Sequence, residues 1–286
     1  METVHIHHPY TPQQLTTNPC VLTLGFFDGV HRGHQAVIQR GREVAQQQHL
    51  PLAVMTFNQH PRLVFRQLNY PENTYLSTLA QKEKILAQLG VDILYVIDFT
   101  SAFASLTPAN FVEQYLVGLQ AQTVVAGFDY TFGNQPAPVT ELANYAQQRF
   151  TVTIVSRETA AALKISSSRI RTLFDRGDLQ QANQLLGYVY TTQAVVLHGA
   201  TYIALQVTPT SRLPAAGQYV VKLHFNQHWY DAQVTVPSTH TDQQIQLTSS
   251  ELTQPIFGEI VTLAWLNKLE QPQQLPVSRL GAYPTK

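Results

Sequence analysis

Charge is scarce in this 286-residue chain: Asp, Glu, Lys and Arg make up only 13%, against roughly a quarter in an average soluble domain. Eighteen acidic residues cancel eighteen basic ones, so the net charge is zero. A polynucleotide binder draws affinity from a surplus of Lys and Arg, and the lack of one argues against a nucleic-acid partner. The single cysteine, Cys20, excludes an internal disulfide and any cysteine-based metal cage. No run of eighteen apolar residues occurs, and the opening METVHIHHPY lacks a charged segment leading into an apolar stretch. These absences predict a soluble, cytoplasmic protein with no membrane partner, and no pattern speaks to oligomeric state.

What is present is enough apolar residue, 44%, for a sizeable core, in a chain long enough for about two domains. The first two-thirds alternates buried-strand patterns with amphipathic segments. Strands are expected at 21–25, 52–57, 92–99, 123–126 and 151–155, and helices over Gly33 to about Gln48, Leu79–Leu89, onward from Thr107-Pro108, and over Thr140–Arg149. Repeated strand–helix–strand units predict an α/β fold, a parallel sheet with helices on both faces. After Gly187 the texture becomes short β-rich runs, at 192–197, 202–207, 218–225, 229–236 and 260–266, with a hairpin turn at Asn226-Gln227-His228. That spacing suits an antiparallel sandwich or small barrel. The boundary is placed close to Gly187, giving domains 1–187 and 188–286, with a polar tail at 271–276.

The most informative segment is Gly25-Phe26-Phe27-Asp28-Gly29-Val30-His31-Arg32-Gly33-His34, where the first strand passes to the first helix. Ligands of open α/β sheets collect at that edge, near helix N-termini whose free N–H groups attract phosphate. His31 and His34, three apart, fall on one side of a helical turn, and Gly33 leaves room for a phosphate to approach the backbone. Two such donors stabilise charge as pyrophosphate leaves a triphosphate. The plainer reading of the same residues is a tight Asp28-Gly29 turn followed by two surface histidines.

The chain resembles the bacterial bifunctional riboflavin kinase/FMN adenylyltransferases, or FAD synthetases. Their GxFDGxHxGH segment is matched from Gly25 to His34. Their TFxPHP resembles Thr56-Phe57-Asn58-Gln59-His60-Pro61, with Gln59 in place of proline. Their GxDFxFG is similar to Gly127-Phe128-Asp129-Tyr130-Thr131-Phe132-Gly133, and ISSTxIR to Ile165–Arg171, with Ser168 for Thr. The resemblance implies a Rossmann-like nucleotidyltransferase domain in which FMN attacks the α-phosphorus of Mg-ATP, the substrates being ATP and FMN with Mg²⁺. It implies that His31, His34 and Arg171 are catalytic, and that Gly25, Phe26, Asp28, Gly33, Ser167 and Ser168 bind ATP. It also places His60, Asp129, Phe57 and Phe128 near flavin or its phosphate, and assigns no metal ligands. Taken alone, Ser166–Ser168 reads as a helix cap, and Phe57 and Phe128 as core aromatics. The chain departs from the family at Asn134–Pro138, uncharged where a basic loop is usual.

The resemblance implies a C-terminal β-barrel of the riboflavin kinase type, carried by His198-Gly199, Gly217–Val221, Trp229-Tyr230 and Ile256–Glu259. The kinase signature GxPTAN is absent between Gly199 and Gly217. Where the family has its general-base glutamate, the chain reads Gln243-Gln244-Ile245-Gln246-Leu247, and a Gln amide accepts no proton at neutral pH. Glu251 is the nearest carboxylate, beyond that strand. The expectation is a folded barrel inactive as a kinase. Two other readings stay open: a non-catalytic flavin- or nucleotide-binding regulatory protein, and adenylyl or cytidylyl transfer to another small phosphorylated substrate.

Overall fold

A computed structural model describes residues 1–11, 17–156, 165–197, 203–238, 243–252 and 256–270. Contacts divide these into two compact units: the described residues up to Asn73 with Ser77–Ser166, and Thr74–Leu76 with the described residues from Ser167 onward. Each unit has its own sheet.

The first unit runs β1 (Glu2–Ile6), β2 (Cys20–Leu24), α1 (Arg32–Gln48), β3 (Leu52–Phe57), α2 (Arg62–Phe65), α3 (Leu79–Gln88), β4 (Ile93–Ile97), α4 (Ser101–Ala104) and α5 (Pro108–Phe111). It continues through β5 (Ala121–Gly127), β6 (Thr131–Phe132), β7 (Ala137–Pro138), α6 (Leu142–Ala146) and β8 (Thr151–Val155). Six strands form one parallel sheet in the order β1-β4-β3-β2-β5-β8. The chain winds outward from β2 to β3 and β4, then returns to β5 on the other side. The carboxyl end of β2 is therefore the switch point, where open α/β sheets hold their ligands.

Alternation along the strands supplies two cores. Val21, Val54, Leu94, Val96 and Val125 pack beneath Val37, Ile38 and Leu86 of α1 and α3. Leu22, Leu24, Met55, Tyr95 and Ala126 face Phe103, Phe111, Tyr115 and Leu142 on the opposite side. Cys20 is fully buried there, its Sγ donating weakly to the Leu119 carbonyl at 3.6 Å. Burial pushes its thiol up to about 12.

Strands β3 and β8 match the sequence reading residue for residue. Edge strand β1 does not appear in that reading, because only Ile6 of Glu2–Ile6 is buried and the run shows no apolar face. Thr107 does cap α5, accepting from the Asn110 N–H, but the helix passes at Val112–Val117 into a π-helical turn. The helix expected over Thr140–Arg149 is only Leu142–Ala146, stopped where Gln147 turns left-handed at φ 48°.

The second unit holds α7 (Ser167–Arg176), α8 (Leu179–Leu186) and strands β9 (Thr191–Leu197), β10 (Ile203–Val207), β11 (Gly217–Phe225), β12 (His228–Val236), β13 (Gln244–Thr248) and β14 (Ile260–Lys268). The strands close into an antiparallel barrel in the order β10-β13-β12-β11-β14-β9. Closure leaves no unpaired edge, and every second residue fills the interior, including Leu205, Tyr219, Val221, Val234, Ile245 and Trp265. Trp265 satisfies its ring N–H on Thr192 Oγ1 at 2.9 Å. The β11–β12 turn is one residue tighter than expected: Phe225 pairs with His228, leaving Asn226 and Gln227 at φ 47° and 66° as a two-residue loop. Asn183 of α8 donates to the Trp265 carbonyl at 2.8 Å, tying that helix to the barrel. His198-Gly199 and the tail at 271–276 lie outside the described residues.

One close approach governs how α1 sits on the sheet. A Cβ at Gly41 would lie 2.3 Å from Thr23 Oγ1 and 3.0 Å from Leu52 Cδ1. Alanine gains about 1 kcal/mol over glycine in a helix interior, but overpacking costs about 1–3 kcal/mol, so the clash wins. Gly41→Ala is expected to lower unfolding free energy in urea titrations, and Thr23→Ala in that background to recover part of the loss. A Gly41→Ala variant as stable as wild type would show that α1 is free to shift.

Candidate active site

Strand β2 ends at Leu24, and the chain must turn sharply to enter α1. It does so through a 3₁₀ turn, Asp28–Val30, in strained backbone. Phe27 is left-handed at φ 53° and Val30 lies at φ 36°, which a β-branched residue rarely adopts. Four side chains hold the turn. Gly29 N–H donates to Ser77 Oγ at 2.9 Å. The Phe26 carbonyl accepts from Lys82 Nζ at 2.6 Å and from Thr56 Oγ1 at 2.8 Å. The Val30 carbonyl accepts from Gln35 Nε2 at 2.8 Å. Phe27 folds back over Gly25, whose Cβ would meet the ring at 2.6 Å, so glycine is required there by packing.

His31 follows the turn as the N-cap of α1, its Nδ1 accepting the His34 N–H at 3.2 Å. A neutral ring that accepts at Nδ1 carries its proton on Nε2, so this hydrogen bond assigns Nε2–H as a donor. The two imidazoles stack with centroids 3.6 Å apart and planes within 16°. Phe27 closes the edge of His34 at 5.3 Å, and His34 Nδ1 is shut from solvent without a hydrogen-bond partner among the described residues. The His31 ring lies over Gly33, where a Cβ would come within 3.2 Å of it, so the ring occupies space that the sequence reading leaves for a phosphate.

Burial pushes His31 down to about 4, opposed by the nearby Asp28 carboxylate and, further down the order, by Asp129. His34 is held well below the ordinary imidazole value by burial, then by His31 and by the Lys82 ammonium. Both rings are thus neutral donors at neutral pH, beside the free N–H groups of a seventeen-residue helix. Such a place suits an anion.

The other sequence-predicted residues are distributed over both units. His60 stands edge-on to Phe26 at 5.1 Å, its Nδ1 accepting the Arg62 N–H at 3.1 Å. Phe57 stacks near Phe26 at 6.5 Å and joins Phe99 and Phe103, so it belongs to an aromatic wall continuous with the core. Phe128 is 40% exposed at the end of β5. Ile165, which opens the ISSSRIR segment, lies 3.9 Å from where a Gly33 Cβ would be. Ser167, Ser168 and Arg171 stand on α7 in the second unit, where Arg171 Nη1 donates to the Thr74 carbonyl at 2.9 Å. Asn134 to Pro138 forms the tip and return of the small β6–β7 hairpin, with Asn134 bonded to the Ser105 and Leu106 carbonyls.

Lys82 is the residue that sequence reasoning misses. It is 3% exposed, and its ammonium sits 4.4 Å from the centre of the Phe26 ring. Burial draws its pKa down to about 8, opposed by Asp28, itself 4% exposed. The available signal is its place in the helical pattern: Leu79, Lys82, Leu86 and Leu89 share one face, and a lysine on the apolar face requires a buried partner.

A family model described as FAD synthetase matches residues 13–169. The chain is 42% identical over 279 residues to a Listeria monocytogenes protein named bifunctional riboflavin kinase/FMN adenylyltransferase, covering 93% of this chain and 88% of that one. A Bacillus subtilis protein of the same name is 32% identical over 96% of this chain and 92% of its own. Among solved structures, one described as a macrolide-efflux protein from Streptococcus pneumoniae superposes with a TM-score of 0.85 at 31% identity, covering 96% of this chain and 93% of that chain. Among the described residues of this chain, no helix is long and apolar enough to cross a membrane.

The depressed imidazoles make stability pH-dependent. The folded chain keeps His31 neutral down to about pH 4, whereas the unfolded chain protonates it near 6.5. Between those values the unfolded state binds more protons, so stability falls as pH falls. Denaturant titrations from pH 7 to 4 should show a shallower fall for His31→Asn, which can still cap α1 but does not titrate. Parallel curves for the variant and wild type would contradict the burial of a neutral ring.

Proposed function

The chain belongs to the FAD synthetase family, and we propose on that premise that it transfers the adenylyl group of Mg-ATP to the phosphate of FMN. The products are FAD and pyrophosphate. The observation that carries the reading is the stacked His31–His34 pair at the N-terminus of α1, at the switch point of the parallel sheet.

In this reaction a phosphate oxygen of FMN forms a bond to the α-phosphorus of ATP. The bond from that phosphorus to the bridging oxygen breaks, and pyrophosphate leaves with the electron pair. Positioning and charge stabilisation are the main demands. The Nε2–H of His31 and the helix N-terminus answer the charge that grows on the departing oxygens, and His34 supports the His31 ring by stacking. In the proposal Arg171, Ser167 and Ser168 bind the triphosphate, with Gly25, Phe26, Asp28 and Gly33 shaping the ATP side. His60, Asp129, Phe57 and Phe128 serve the flavin and its phosphate. Mg²⁺ arrives as part of the Mg-ATP substrate. In the proposal that ion is held mainly by the phosphates.

The proposal assigns residues 1–187 to adenylyl transfer in the cytoplasm, without nucleic-acid or membrane partners, and 188–286 to a barrel that has lost kinase activity. The relatives are named bifunctional, so the loss rests on this chain's own residues. On the outer barrel face Gln206 pairs with Gln244 and Ala204 with Gln246, an ion-free set where a general base would be needed. Glu251 is already engaged, its Oε2 accepting the Asp231 N–H at 2.7 Å.

Two measurements test this. Purified protein with FMN, ATP and Mg²⁺ should form FAD, seen by chromatography, and His31→Ala should slow it on the order of 10²-fold, as for loss of one preorganised donor. Flavin binding without turnover would favour a regulatory role, and an undiminished rate in His31→Ala would remove that ring from the chemistry. With riboflavin in place of FMN, no FMN should accumulate; its ATP-dependent appearance would refute the loss of kinase activity.

A further inference from the structure

A buried lysine needs a reason, because burial costs an ammonium its hydration. Among the described residues Lys82 has only two hydrogen bonds to show for that cost, to the Phe26 carbonyl at 2.6 Å and to Thr56 Oγ1 at 3.0 Å. Thr56 in turn donates to the same carbonyl at 2.8 Å. Two donors from β3 and α3 therefore converge on one oxygen just beyond β2, and the Phe26 ring lies over the ammonium.

That convergence sets the orientation of a peptide. The Phe26–Phe27 bond is trans, so the N–H of Phe27 points opposite to the Phe26 carbonyl. With the carbonyl drawn inward to Lys82, the Phe27 N–H is turned away from the helix α3 side, and no protein acceptor among the described residues takes it. Phe27 accepts a left-handed backbone in consequence, and the Asp28–Val30 turn and His31 follow directly. The ammonium also places a positive charge beneath the turn that ends at the two imidazoles.

Resting on the adenylyl-transfer reading, we propose that Lys82 is a positioning residue of the site: it pins the Phe26–Phe27 peptide so that the Phe27 N–H joins His31 in holding the polyphosphate of ATP. The role is specific to the anion. The adenosine part of the nucleotide gains nothing from it.

The test compares wild type with Lys82→Met and Lys82→Gln, the second keeping a hydrogen-bond donor and serving if the first does not fold. Each is titrated calorimetrically with α,β-methylene-ATP plus Mg²⁺ and, in competition, with adenosine, and FAD formation is followed separately. A folded variant should bind the analogue on the order of tenfold more weakly, with adenosine affinity unchanged and KM for ATP raised in proportion. Unchanged affinity for the analogue overturns the proposal. So does an equal loss for analogue and adenosine, the mark of a generally distorted site. If wild type binds the analogue yet makes no FAD, the substrate reading fails while the titrations still decide the role of Lys82.

Discussion

Two residues past the end of β2 stands a carbonyl that two buried donors share, and the direction of that oxygen decides where the chain can go next. Lys82 and Thr56 hold the Phe26 carbonyl inward, Phe27 must turn left-handed, and Val30 reaches a φ that valine ordinarily avoids. Such strain persists only where the surroundings over-determine it. Here they do: Ser77 takes Gly29, Gln35 takes the Val30 carbonyl, and Phe27 wedges between Gly25 and His34. The outcome is two neutral imidazoles in face-to-face contact over the start of a long helix. Neutrality matters, since two charged rings at that separation would repel each other and could not share the space.

Much of this architecture is legible in the sequence because buried parallel strands announce themselves as apolar runs. Leu52–Phe57 and Thr151–Val155 are bounded by turn residues and read to the residue. Strand β1 escapes because an edge strand with one buried side chain carries no periodic signal. The π-helical turn at Val112–Val117 and the early stop at Gln147 escape because both depend on tertiary packing. For the site, the HxGH spacing places two imidazoles on one side of the chain. It does not show that one ring caps the helix and covers Gly33, which is a matter of χ angles. Lys82 stands out in the sequence only as an anomaly on an apolar face, some fifty residues away from the carbonyl it serves.

The barrel shows the opposite balance between fold and chemistry. Its alternation is intact on the inside, where Leu205, Tyr219, Val234 and Trp265 close the core. On the outer face β10 and β13 carry the neutral amides Gln206, Gln244 and Gln246, which leave the pairing of the two strands undisturbed. A strand can vary on one face alone because side chains on its two faces answer to different demands. Packing constrains the inner set, and only function constrains the outer one.

Cys20 lies at the foot of the same central strand, enclosed on every side, with its proton held far more tightly than in a free thiol. Oxidants and alkylating agents act on thiolates they can reach, and the chain has no second sulfhydryl to offer. The fold therefore offers oxidants no reachable thiolate, a fitting reticence in a catalyst whose proposed substrate is itself an electron carrier.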